Sequence, residues 1–221
     1  MCATRALTPA EQTEMTASLD RARDRLLFLF GLYTGFRIHE LLAIRCGDAW
    51  NDGRAAKEIT LARRQLKGGD GRKARRVRAR TVPLHPALQA ALQTYMQASF
   101  PNGGPPVEKF LFKSRKGANS PITVGHAWRI IKSSARRLGF DHRIATHSMR
   151  KTFARAIYDQ SGHDIVLTQR ALNHRAITTT SQYLESTQAD VAAAVLGLGG
   201  PLQPLPPKVA PHEQRPTQAT A

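Results

Sequence analysis

The sequence predicts a mainly α fold with a small antiparallel β-sheet, and three observations carry that prediction. Apolar residues recur at helical spacing in most segments, as in Ile38, Leu41, Leu42 and Ile44. Only the stretch from Glu58 to Leu84 favours strands: Ile59, Leu61, Val77, Val82 and Leu84 flank Gly68-Gly69-Asp70-Gly71, as in a hairpin with a flexible turn. The chain has 221 residues and is 41% hydrophobic, enough to bury the core of one substantial domain.

Taken in order, Thr8-Pro9-Ala10-Glu11 has capping-box spacing with proline at the first helical position, and starts a helix. A second helix runs from about Leu19 to Tyr33; its apolar residues are too dense for a surface helix, so it belongs deep in the core. After Gly35 a helix spans Arg37 to Arg45, which puts Arg37 at its N-terminus. The hairpin follows, and helices resume at Pro86–Phe100, Thr123–Leu138, Ser148–Gln160, Ile165–Leu172 and Thr178–Glu185. Tyr33, Tyr95 and Tyr158 fall on apolar helical faces and read as core. Six of the 13 prolines lie at or beyond residue 201, so residues 199–221 are expected to be disordered.

Lysine and arginine total 33 against 16 acidic residues, a net charge of +17, and such a field attracts polyanions. The excess concentrates in the hairpin, where Arg63, Arg64, Lys67, Arg72, Lys73, Arg75, Arg76, Arg78 and Arg80 face only Asp70. An ordinary solvated hairpin is the plain alternative, but like charges this dense repel unless phosphates lie between them, which favours a DNA-contacting ribbon built on Arg63, Arg64, Lys73, Arg75, Arg76 and Arg78. Cys2 and Cys46 form no CxxC pair and have no histidine at metal-ligand spacing, so neither a disulfide framework nor a zinc site is indicated. His39-Glu40 begins like a HExxH zinc motif, but Ala43 ends that reading. No apolar run approaches the ~20 residues that span a bilayer, and a cytoplasmic protein without a membrane partner is expected.

Cleaving a phosphodiester without a metal needs cations on the non-bridging oxygens, a nucleophile, a base, and an acid for the leaving oxygen. Residues of these types stand in Thr34-Gly35-Phe36-Arg37-Ile38-His39-Glu40-Leu41-Leu42, in Thr146-His147-Ser148-Met149-Arg150, in Leu172-Asn173-His174, and at Tyr183, 183 − 174 = 9 positions later. His147 and Arg150 are three apart, hence on one helical face. In order and spacing these segments resemble the catalytic domain of the tyrosine recombinases (phage integrases), whose pattern is TGxRxxEL, a hairpin lysine, HxxRH or HxLR, LGH, and a tyrosine nine residues on. The resemblance covers roughly Leu26 to Leu196.

The resemblance implies roles. Arg37 and Arg150 would clamp the scissile phosphate in bidentate fashion. Tyr183 would attack it to give a 3′-phosphotyrosine, with His147 similar to the family's general base. His174 would donate a hydrogen bond to a phosphate oxygen, and Glu40 would orient its neighbours. Lys67, just before the double glycine, would protonate the departing 5′ oxygen, with Lys73 in the same hairpin the alternative. The implied function is site-specific recombination of double-stranded DNA by integration, excision or inversion, as in mobile elements, with no cofactor. A catalytically silent DNA-binding regulator of the same fold and a type IB topoisomerase-like enzyme are the competing readings.

Three positions depart from the pattern. Asn173 replaces the usual glycine, although asparagine tolerates the left-handed conformation. Met149 stands where leucine is common. Residues 1–25 read as a short helical extension before a catalytic domain of residues 26–198, whereas most relatives have a separate helical domain there; short relatives resembling fimbrial phase-variation invertases also lack it. The apolar segment Asp190 to Leu196 resembles the element that such proteins lend to a neighbour, which implies a homo-oligomer, a tetramer on two DNA sites.

Overall fold

The computed structural model describes residues 4–66, 79–101, 104–174 and 176–184. Lys67, Lys73, Arg75, Arg76 and Arg78, the glycine turn between them, the helix expected at Asp190–Leu196 and the proline-rich 199–221 stretch lie outside the described residues. Helix α1 (Pro9–Ser18) starts as the capping box requires: the Thr8 hydroxyl accepts from the Glu11 N–H, and Glu11 returns a carboxylate to the Thr8 N–H. Leu7, Met15 and Leu19 of α1 and its flanks are buried in the main core. Burial of Leu19 in the link after α1 leaves α2 to begin at Ala22 rather than at Leu19, and it runs to Thr34.

Helix α2 is central, as its apolar density predicts. It packs against α1, α3 (Ile38–Leu42), α5 (Pro86–Ser99), α6 (Val124–Arg137) and α7 (Thr146–Gln160). Gly31 lets α7 approach: a Cβ there would lie 2.6 Å from the Met149 sulfur and 2.9 Å from its Cβ. The helix expected over Arg37–Arg45 stops at Leu42, because tertiary pairing captures the chain that follows. Ile44 O accepts from Leu111 N at 3.0 Å and Cys46 N donates to Lys109 O at 2.7 Å, so Arg45 bridges Phe110 as a strand residue.

A short helix α4 (Cys46–Ala49) then leads into a hairpin absent from the sequence reading, β1 (Trp50–Asn51) paired antiparallel with β2 (Arg54–Ala55). Its turn uses Asp52 and Gly53, both at positive φ (50° and 76°), the Asp-Gly pair that a tight hairpin favours. The expected hairpin is present as β3 (Glu58–Leu61) against β4 (Arg80–Pro83), in the register Ile59↔Val82 and Leu61↔Arg80. After Leu61 the chain forms a 3-10 turn over Arg63–Gln65 instead of extending the strand.

Beyond α7, α8 (Ile165–Leu172) is capped by Asp164, whose carboxylate accepts from the Val166 and Leu167 N–H groups. Helix α9 (Ile177–Ser181) ends earlier than expected, and Tyr183 stands in the turn after it. Most buried apolar residues form one large cluster; Phe153, Ala154 and Leu172 form a second, small one against which Tyr183 packs. Tyr33, Tyr95 and Tyr158 are half-buried, Tyr33 stacking on His85 with ring centroids 4.7 Å apart. None of the described helices is long and apolar enough to cross a membrane.

Candidate active site

The left-handed cap that ends α2 sets up the first arginine. Gly35 has φ 59°, and a Cβ there would run into the Phe153 ring, so only glycine fits this turn. Two residues later Arg37 is the N-cap of α3. Buried Glu40, 1% exposed, accepts from the Arg37 N–H at 2.7 Å and pairs with its guanidinium at 3.2 Å. The carboxylate therefore fixes both the start of α3 and the direction of the Arg37 side chain.

Arg150 comes from the second turn of α7 and is only 1% exposed. Its guanidinium donates to Gly35 O, to Leu172 O at 2.8 Å and to His174 Nε2 at 2.8 Å. The two carbonyls are at the C-terminal ends of α2 and α8, where the helix dipole is negative, so a buried cation is tolerated. Its Nε is buried with no hydrogen-bond partner among the described residues. Burial, followed by the charge of Arg37, lowers the Arg150 pKa to about 10, so the group stays protonated at neutral pH.

One turn before Arg150 on α7, exposed His147 places Nε2 2.6 Å from the Tyr183 hydroxyl. His174 follows Asn173, which adopts the left-handed conformation (φ 53°, ψ 44°) that the family pattern gives to glycine. That turn sends His174 inward, 7% exposed, with Nδ1 3.0 Å from the Thr180 hydroxyl. The Tyr183 ring is bracketed by the two histidines, with centroids 5.4 Å and 5.0 Å away, and the Arg150 guanidinium carbon is 5.8 Å from its centre. Burial first, then the charges of Arg150, Arg37, Arg80 and His147, holds His174 down to about 3, so its imidazole is neutral at pH 7.

Arg37, Glu40, His147, Arg150, His174 and Tyr183 are thus brought together; Lys67 lies outside the described residues, and Arg63 and Arg64 are exposed on the 3-10 turn after β3. Two residues at this site carried no role in the sequence reading. Arg80, 7% exposed, donates to Thr34 O at 2.9 Å and Ala171 O at 2.5 Å, one residue back from each carbonyl that Arg150 uses, and stacks on Phe36 at 4.7 Å. Its signal was present: strand alternation puts Arg80 on the same face as Val82, the core face. Burial, then Arg150, lowers its pKa to about 9. Thr180, fully buried three residues before Tyr183, had no sequence signal beyond that spacing.

Among the described residues no three His, Cys, Asp or Glu side chains are grouped to hold a metal ion. Cys46 is buried, and burial raises its thiol to about 11.

Residues 5–190 match the sequence profile of the Phage integrase family. The chain is 26% identical over 178 residues to the Probable integrase/recombinase YoeC of Bacillus subtilis, covering 80% of this chain and 86% of that protein. It is 27% identical over 177 residues to the Tyrosine recombinase XerA of Pyrococcus furiosus, 80% of this chain but only 54% of that protein, so it spans about half the length of that relative. Among solved structures, the XerH site-specific recombinase bound to difH substrate in a pre-cleavage complex superposes with a TM-score of 0.62 at 22% identity, covering 88% of this chain and 55% of that one. That likeness shows a shared fold. With the profile matching most of its length, the chain belongs to the phage integrase family.

Proposed function

We propose that the protein is a site-specific DNA recombinase that cleaves and rejoins double-stranded DNA through a 3′-phosphotyrosine on Tyr183. The observation that carries this reading is the Tyr183 hydroxyl held 2.6 Å from His147 Nε2 beside the buried Arg150. His147 takes the phenol proton as Tyr183 Oη attacks phosphorus. The bond to the 5′ oxygen breaks, and a hairpin lysine, Lys67 ahead of Lys73, returns a proton to that oxygen. Arg37 and Arg150 stabilise the charge on the pentacoordinate phosphorus, Glu40 holding Arg37 in place. The unsatisfied buried Nε of Arg150 supports an anion as its partner, since such a donor costs about 1–3 kcal/mol when unpaired. Attack by another strand's 5′ hydroxyl on the phosphotyrosine reverses the step and joins strands without ATP.

Exposed Arg63 and Arg64, and by sequence Lys73, Arg75, Arg76 and Arg78, fit the DNA backbone on charge grounds. Belonging to the same proposal are a tetramer on two sites, assembled through residues 190–196; residence in the cytoplasm; carriage by a mobile element; and the division at residues 25 and 198. The test is a denaturing gel for covalent protein–DNA adduct with duplexes from either side of the protein's own gene. Wild type forms the adduct and Tyr183→Phe does not. Tight binding with no adduct from wild type would move the reading to a silent DNA-binding regulator.

A further inference from the structure

Between α8 and α9 the Thr180 hydroxyl faces one nitrogen of His174 while Arg150 faces the other, at 3.0 Å and 2.8 Å. A guanidinium has donors only, so Nε2 must accept. A neutral imidazole with Nε2 accepting carries its proton on Nδ1, and the Thr180 oxygen accepts it. The role that the family resemblance implies for His174 is to donate a hydrogen bond to a phosphate oxygen; given from Nε2, the nitrogen beside Arg150, it needs the opposite arrangement, with the proton on Nε2.

Two routes lead there. The first adds a second proton, which burial and the surrounding charges oppose. The groups facing the ring are Arg150 and His147 of α7, Arg37 before α3, Arg80 of β4 and the Tyr183 ring, and the three arginines all repel an imidazolium. The second moves the single proton from Nδ1 to Nε2. It needs an Nδ1 partner that can both accept and donate. A carbonyl or carboxylate only accepts; a hydroxyl that rotates does both.

We propose that Thr180 is a positioning residue that lets His174 change tautomer during the reaction: its hydroxyl accepts from Nδ1 while Arg150 holds Nε2, and donates to Nδ1 when Nε2–H turns to the scissile phosphate. One proton leaves Nδ1 to water and one reaches Nε2 from water, so the ring is neutral before and after the exchange and no net proton is taken up. Arg150 then turns the released N–H to the same phosphate. The inference rests on the reading of the site given under Proposed function.

The test is ¹⁵N NMR of the histidine rings in Tyr183→Phe protein, alone and on the duplex that gives an adduct with wild type. The His174 signals are identified by their loss in a His174→Gln background. The expected spectra are neutral with the proton on Nδ1 for the protein alone, and neutral with the proton on Nε2 on DNA. Protonation of both nitrogens on DNA, or retention of the proton on Nδ1, overturns the proposal. Single-turnover cleavage supplies the functional arm: Thr180→Val, of similar shape but without the hydroxyl, slows cleavage about tenfold at unchanged DNA affinity and folding, the effect of about one hydrogen bond, and Thr180→Ser recovers most of it. Equal rates for Thr180→Val and wild type would also overturn it. If His174→Gln itself cleaves like wild type, the reading of the site fails; if it is inactive while Thr180→Val is not, this inference alone fails.

Discussion

Arg37 and Glu40 stand around α3, whose Leu41 and Leu42 are buried in the large core, whereas among the described residues Tyr183 packs on a cluster of three buried side chains, Phe153, Ala154 and Leu172. The half of the site proposed to bind phosphate thus shares the stability of the large core. The proposed nucleophile is carried by a five-residue helix and a turn, which little apolar burial among the described residues supports. Local opening is cheapest where buried contacts are fewest. The proposed charge-stabilising groups are therefore preorganised, and the tyrosine sits on the less supported segment, tied to them through Thr180, His174 and Arg150. Arg150 joins the two halves, since its carbonyl partners belong to one cap on each side, Gly35 and Leu172.

The largest effect is expected from cutting that link. Arg150→Ala leaves two carbonyls and a buried histidine without their donor, and should cost about 2–4 kcal/mol in urea unfolding. It should also lower single-turnover cleavage by about 10²–10³, the scale of losing one preorganised charge-stabilising group. Arg150→Lys should recover little of either, because one ammonium cannot serve three separated partners. Near-wild-type cleavage by Arg150→Ala would break the comparison at its joint.

A matched pair sharpens the contrast at intermediate size. Leu27 and Leu172 are both 0% exposed, one in each cluster. Leu27→Ala should cost about 3–5 kcal/mol, the upper part of the range for a well-enclosed leucine, and reduce activity only through loss of folded protein. Leu172→Ala should cost about 2 kcal/mol, the lower part, because its small cluster can collapse, yet slow cleavage by the molecules that remain folded. Denaturant unfolding set beside cleavage per folded molecule decides it. Equal stability losses with equal specific activity would show that the two halves are not different in kind.

The smallest effect concerns the turn that ends α8. Asn173 holds φ 53°, so Asn173→Ala should cost about 1 kcal/mol and Asn173→Gly about nothing or slightly less than nothing. Thermal unfolding of both variants measures this. A stabilised Asn173→Ala would mean that the turn is held by something other than its backbone conformation.

Much of this site was legible in the sequence because its groups sit at local, rule-bound positions. Arg37 marks a helix start after a glycine cap, His147 and Arg150 share a helical face, and Asn173 is a residue that accepts a left-handed turn. What stayed hidden depends on partners distant in sequence. The helix after Arg37 ends at Leu42 because residues 107–111 hydrogen-bond to the chain beyond it, which no local pattern announces. Arg80 reads in the sequence as one more cation of the charged hairpin, although the strand period already places it with Val82 on the core face. The β1–β2 hairpin was passed over despite its Asp52-Gly53 turn, because two-residue strands give no alternation to read. Thr180 becomes meaningful only once His174 is seen against it.

Tyr183 is proposed as the covalent nucleophile, joined to the 3′ side of the cleaved bond. Its most direct test is to trap the adduct on a nicked duplex, digest it with protease and nuclease, and find the modified residue and the linkage by mass spectrometry. The expected product is a nucleotide joined through its 3′ phosphate to the peptide containing Tyr183, with the 5′ end free as a hydroxyl. A linkage at Tyr33, Tyr95 or Tyr158, or a 5′-phosphate linkage at any residue, would contradict it.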